Sequence, residues 1–111
     1  MTPGLGCIIA AAIGLRCPCI DINCACPGFI YALDIADSYF KVGKVKNVLI
    51  VCAEEPTRMT SWQDRATCVL FGDGAGAVVL SEGEGVRAVR IGAQPDPDKI
   101  WQFRRLEPRL S

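Results

Sequence analysis

The sequence predicts an α/β fold on three observations. A strong helix signal spans about Gly28 to Val42, a short segment of strand character precedes it at Cys17 to Asn23, and Val48 to Ala53 (VLIVCA) is apolar without a break. A continuous apolar run of strand length belongs to a parallel strand covered on both faces. Strand, helix and strand in that order make a βαβ unit, whose crossover is right-handed.

The elements follow in chain order. Gly4 to Ile13 is too apolar for a surface helix, and a helix without a polar face is expected to be buried on all sides. Pro3 suits its first turn and Gly14 its end. In Cys17 to Asn23, Ile20 and Ile22 recur with a strand's period of two. The second helix carries Phe29, Ile30, Leu33, Ile35, Ala36, Tyr39 and Phe40 around most of its circumference. Asp34, Asp37, Ser38 and Lys41 leave it one polar stripe. Gly43 is placed to end it in the left-handed conformation, with Lys41 and Lys44 complementing the negative end of the helix dipole.

Beyond Val48–Ala53, the stretch Glu54 to Ala66 is polar and irregular. Thr67 to Phe71 reads as a strand, Gly72 to Gly76 (GDGAG) as a tight turn needing glycine backbone angles, and Ala77 to Leu80 as a strand. Val86 to Ile91 completes a C-terminal hairpin after a turn at Ser81 to Gly85. From Gln94 the chain is rich in Pro, Asp and Arg without a period. The organisation expected is one domain over residues 1–92 and an irregular tail over 93–111. A domain of this size buries only about two-thirds of its unfolded surface. Two apolar helices beside an apolar sheet therefore call for protein beyond these ends.

Charge and cysteine usage exclude several functions. Twelve basic residues balance twelve acidic ones, so no net field draws nucleic acid or an anionic membrane. Seven cysteines, an odd number set within apolar runs, argue for a reduced, cytoplasmic chain rather than a secreted disulfide framework. Residues 1–15 are apolar but carry no basic residue before Arg16, unlike a signal peptide, and are too short for a membrane span. The chain has no histidine, which removes the commonest general base and the commonest zinc ligand.

The residue placed to do chemistry is Cys26. It stands between the first strand segment and the second helix, followed by Pro27 and Gly28. Backbone N–H groups at a helix start lack internal partners and favour negative charge, so a thiol there tends toward thiolate, the reactive form. Pro27 suits the first helical position, and Gly28 leaves room for a substrate. Acyl transfer through a covalent intermediate would be natural for such a nucleophile. The alternative is a small apolar core residue, since free cysteine is often buried.

Three segments at constant spacing sharpen the choice. DINCACPGFIYAL (Asp21 to Leu33) resembles the nucleophile segment of the β-ketoacyl-ACP synthase III family of thiolase-like condensing enzymes. The resemblance continues through ADSYFKVGKVKNVLIVCAEEPTR and QDRATCVLFGDGAGAVVL. It covers about Pro3 to Leu80 and fades after Ile91. It implies part of a thiolase-like fold, belonging to the N-terminal of two similar α/β halves, usually in a homodimer. It implies an acyltransferase of fatty-acid synthesis that condenses acyl-CoA with malonyl-ACP, an acyl carrier protein substrate, with no cofactor. Carried over by motif, Cys26 is the acylated catalytic residue, Arg65 in QDRAT contacts the CoA, and Phe71 in LFGDG lines the acyl pocket. Family members usually have a small residue where Pro27 stands and an alanine where Cys24 stands. The family's catalytic His and Asn lie in a second half that has no match here.

Other patterns carry less. Cys17, Cys19, Cys24 and Cys26 form C-x-C-x₄-C-x-C, but structural zinc sites favour C-x₂₋₄-C, and no metal is expected. GDGAG lacks the Lys-Ser/Thr of a phosphate-binding loop, and Asp73 would repel phosphate. Glu54 and Glu55 are adjacent and point apart. Arg104, Arg105 and Arg109 lack the aromatic partners of a nucleic-acid surface.

Overall fold

The structure, a computed structural model, describes residues 2–95. Its elements are α1 (Leu5–Ala12), α2 (Gly28–Lys41), β1 (Asn47–Glu54), a 3₁₀ turn (Pro56–Met59) and β2 (Gly74–Ser81). They fall into two compact units. One runs to Cys52 and resumes over Ala77–Ile91; the other includes Ala53–Gly76.

In the first unit, both helices end as their glycines predict. Gly43 has φ +65° and Gly14 φ +73°. After α2, the Gly43 N–H donates to the Phe40 carbonyl and the Lys44 N–H to that of Tyr39, both at 2.9 Å. After α1, Gly14 donates to Ala11 at 3.2 Å and Leu15 to Ala10 at 2.8 Å. Each is a Schellman ending, in which a left-handed residue turns the chain so that two N–H groups satisfy the last carbonyls. Lys41 also pairs with Asp37 at 2.6 Å, and the Lys44 ammonium lies 4.6 Å from the centre of the Tyr39 ring.

The start of α1 is capped from a distance. Gly4 supplies no side chain, Pro3 lies ahead of the helix, and the Asp21 carboxylate accepts the N–H groups of Leu5 at 2.6 Å and Gly6 at 2.8 Å. An anion at the first turn satisfies two otherwise unpaired donors and meets the positive end of the helix. This explains the first correction. Cys17 to Asn23 is not a strand, because the segment is committed to capping α1 and has no strand beside it among the described residues. The βαβ unit is accordingly not formed.

Among the described residues the sheet has two strands, β1 beside β2. Ser81 at the end of β2 donates to the Asn47 side-chain oxygen at the start of β1, at 2.8 Å, so the strands run antiparallel. Along β1, Val48, Ile50 and Cys52 are the less exposed set, while Leu49 and Val51 alternate with them and are exposed. The apolar run thus has one sheltered face rather than the two expected.

The buried-helix expectation is corrected as well. The buried hydrophobic residues among those described are Ala10, Ala36 and Ile50, one from each of α1, α2 and β1. Leu5, Ile8, Phe29 and Ile30 are all exposed. The chain supplies too few apolar partners to cover its own helices, in keeping with the surface argument made from its length.

The C-terminal hairpin is also absent. Val86 to Ile91 has no strand partner among the described residues, and β2 pairs with β1 instead. A period of two reports which residues share a face, not which strand lies alongside. The expected tail begins at the edge of the described residues, and Arg104, Arg105 and Arg109 lie outside them. No described helix is long and apolar enough to cross a membrane.

Candidate active site

Cys26 is exposed in the turn that leads into α2. The turn is closed by the Gly28 N–H donating to the Ala25 carbonyl at 3.0 Å. Ala25 has φ +51°, in the left-handed region that residues with a Cβ avoid at a cost of about 1–2 kcal/mol. Pro27 is the cap residue of α2 rather than its first helical residue, and its carbonyl accepts the N–H groups of Ile30 at 2.9 Å and Tyr31 at 3.3 Å. No described side chain caps α2 and no acid occupies its first turn. The positive end of a 14-residue helix is therefore left unneutralised two residues after the thiol. A Cβ built on Gly28 would meet nothing within 4 Å, so the approach over this residue is open.

Arg65 and Phe71 lie in the second unit. Thr67 to Phe71 is not the expected strand. The Asp64 carboxylate accepts the Ala66 N–H at 3.0 Å and the Thr67 hydroxyl at 2.7 Å. The Thr67 and Cys68 N–H groups donate to the Asp64 carbonyl at 3.2 and 2.9 Å. Side-chain and backbone bonds from one aspartate thus wind the segment into turns, overriding a weak strand preference. The Thr67 hydroxyl and then the Ala66 N–H hold the Asp64 carboxyl below the usual range. Arg65 rides on this turn, exposed, with no ion pair to any described residue. Phe71 is half-buried.

GDGAG also differs from expectation. None of Gly72, Gly74 and Gly76 has a positive φ, and β2 already begins at Gly74. The specific interaction here belongs to Asp73, whose carboxylate accepts the Thr57 N–H at 3.0 Å and the Thr57 hydroxyl. That contact ties β2's approach to the 3₁₀ turn. Thr60 is buried and donates to the Pro56 carbonyl at 3.0 Å, holding the same turn. Glu55 pairs with Arg58 at 3.4 Å rather than acting with Glu54.

The Cys19 thiol donates to the Cys17 carbonyl at 3.4 Å, while Cys24 is half-buried and Cys26 exposed. Among the described residues no three acidic or thiol side chains converge on a metal-sized space.

Two features of the site were not anticipated from sequence. Asp64 had a readable signal, since Asp-x-x-Thr is a common local bonding pattern. The left-handed Ala25 had none, because alanine is not a residue chosen for that conformation.

Residues 20–95 match the family model of 3-oxoacyl-[acyl-carrier-protein (ACP)] synthase III. A β-ketoacyl-[acyl-carrier-protein] synthase III of Aquifex aeolicus is 53% identical over 83 residues, 74% of this chain and 27% of the relative. One of Clostridium novyi is 51% identical over 85 residues, 76% of this chain and 26% of the relative. The crystal structure of the Aquifex aeolicus enzyme superimposes with a TM-score of 0.69 at 54% identity, over 71% of this chain and 26% of that one. That of Thermus thermophilus gives 0.72 at 41% identity, over 77% and 27%. The chain spans about a quarter of the length of these relatives. Its α/β elements are part of a thiolase-like fold, and the chain belongs to the 3-oxoacyl-[acyl-carrier-protein] synthase III family.

Proposed function

We propose that this chain is the nucleophile-bearing part of an acyltransferase of fatty-acid synthesis, acting through an acyl-Cys26 intermediate. The observation that carries the reading is an exposed thiol behind a left-handed Ala25, at the uncapped start of α2. Backbone strain concentrates where a group must be presented. The Cys26 sulfur attacks the thioester carbonyl of acyl-CoA, CoA leaves as its thiol, and the acyl group rests on Cys26. Malonyl-ACP then loses carbon dioxide, its α-carbon attacks the acyl carbonyl, and Cys26 is released with 3-oxoacyl-ACP as product. Arg65 would meet the CoA, consistent with an exposed guanidinium that has no ion pair among the described residues, and Phe71 would line the acyl pocket. No cofactor is required by these steps. The domain expected over residues 1–92 acts within a homodimer in the cytoplasm.

By itself the chain performs no condensation. The enolate formed on decarboxylation needs hydrogen-bond donors, each worth about 10²–10³ in rate. With no histidine in the sequence and no match to the family's Asn, those donors are not supplied. A second reading, a non-catalytic remnant or interaction module, draws on the same absence. A related condensing enzyme of polyketide type is the alternative within the class. Incubation with radiolabelled acyl-CoA, with and without malonyl-ACP, separates them. The expected outcome is label on Cys26, lost in Cys26→Ser, and no condensation product. Condensation above buffer would overturn the inactivity, and an unlabelled chain would favour the remnant.

A further inference from the structure

Ala25 holds its left-handed backbone, φ +51°, between a helix on one side and a stretch without secondary structure on the other. Downstream, the Gly28 N–H closes onto the Ala25 carbonyl at 3.0 Å and α2 follows directly. Upstream, residues 16–24 lie in no helix or strand. Among the described residues, the hydrogen bonds that tie this stretch to another element both belong to Asp21. Its carboxylate accepts the Leu5 N–H at 2.6 Å and the Gly6 N–H at 2.8 Å, at the start of α1. The helix is shaped for this contact. A Cβ built on Gly4 would lie 2.8 Å from one carboxylate oxygen of Asp21, and one built on Gly6 would lie 3.1 Å from the other. The Gly6 Cβ would also lie 3.4 Å from the Cys19 Cβ and 3.6 Å from the Ile20 carbonyl oxygen, so the chain runs close against the helix start up to Asp21.

We infer that Asp21 is a positioning residue for Cys26: its bonds to the start of α1 anchor the segment Ile22 to Cys24 that leads into the left-handed turn, and so keep the thiol presented. The inference rests on the reading of Cys26 as the nucleophile. Asp21 does not reach the reacting atoms, and acts through Ala25. A residue in a sparsely populated backbone conformation keeps it only where the surrounding structure fixes it. For a residue with a Cβ, ordinary angles are favoured over the left-handed one by about five- to thirtyfold. α2 fixes Ala25 from downstream, and Asp21 is the anchor upstream. With that anchor released, Ala25 relaxes to ordinary angles and the thiol swings away from the start of α2.

The test is the rate at which limiting iodoacetamide modifies Cys26, with Cys17 as reference within the same chain, since Cys17 is exposed and outside both helices. Tandem mass spectrometry reads the two sites, and circular dichroism at 222 nm confirms that the helices persist. Asp21→Ala should lower the preference for Cys26 about fivefold or more. Gly4→Ala keeps Asp21 but displaces its carboxylate, so it should lower the preference likewise, and it carries the test if Asp21→Ala does not fold. Ala25→Gly added to Asp21→Ala should restore the preference, because glycine takes the left-handed angle without an anchor. Gly43→Ala, at the far end of α2, should leave it unchanged, which separates positioning from general loosening. A preference kept in Asp21→Ala, lost equally in Gly43→Ala, or not restored by Ala25→Gly would overturn the inference and leave the nucleophile reading standing. A wild-type chain without preference for Cys26 would overturn the nucleophile reading, and this inference with it.

Discussion

Gly43→Ala isolates backbone conformation from packing. Gly43 holds φ +65° at the end of α2, and its N–H and that of Lys44 close the helix on the Phe40 and Tyr39 carbonyls. A Cβ added there would meet nothing within 4 Å, so no steric cost enters. The left-handed angle costs an alanine about 1–2 kcal/mol. Alanine's narrower unfolded ensemble returns about 0.4–1 kcal/mol. The net loss is about 1 kcal/mol, roughly a fivefold fall in the folded-to-unfolded ratio. In urea, with a slope of about 1–3 kcal/mol per molar, the midpoint should fall by about 0.3–1 M with the slope unchanged. Gly28→Ala is the matched control at the other end of α2. It too has open space around its Cβ, but its φ is not positive, so the chain should gain about 0.5–1 kcal/mol from the better helix former. Circular dichroism at 222 nm follows both. If the two substitutions move the midpoint in the same direction, the assignment of Gly43 as the left-handed terminator is wrong.

Two further expectations concern aspartates. Asp21→Ala removes both donors' partner at the start of α1 and should cost about 1 kcal/mol, the usual value of a cap; protection of the Leu5 and Gly6 amides against hydrogen exchange should fall while that of α2 is kept. Asp64 is held below its ordinary range by the Thr67 hydroxyl and the Ala66 N–H. A carboxylate favoured in the folded state stabilises it above the unfolded value of about 3.9, and that contribution disappears as pH falls through the lower folded value. The Ala66 amide resonance should therefore titrate with a midpoint below 3.9; a midpoint at or above it would mean that the 64–67 bonds do not persist in solution.

What the sequence disclosed depends on how local each interaction is. α2 was legible within a residue because its apolar circumference, Gly43 and flanking lysines all lie within one segment. β1 was legible for the same reason, although its outer face, Leu49 and Val51, remains exposed. Pairing was not legible. Cys17 to Asn23 and Val86 to Ile91 have the period of strands, but whether a strand stands beside them is settled elsewhere in the chain. Thr67 to Phe71 failed for a local reason, the competition of the Asp64 side chain for nearby N–H groups. At the site, Cys26 could be argued from its place before a helix, whereas Arg65 and Phe71 came from resemblance alone. The angle of Ala25 left no mark on the sequence.

The apolar surface left open on α1, α2 and β1 fits a chain that spans about a quarter of its relatives. Asp73 and Asp64 instead hold the second unit by short-range polar bonds that need no such cover.

Residue-resolved alkylation tests the nucleophile most directly. At neutral pH, limiting iodoacetamide followed by peptide mapping should modify Cys26 first, ahead of Cys7 and Cys17, which are also exposed, because only Cys26 stands before an uncapped helix start among the described residues. Modification of Cys26 no faster than of those two would contradict the account.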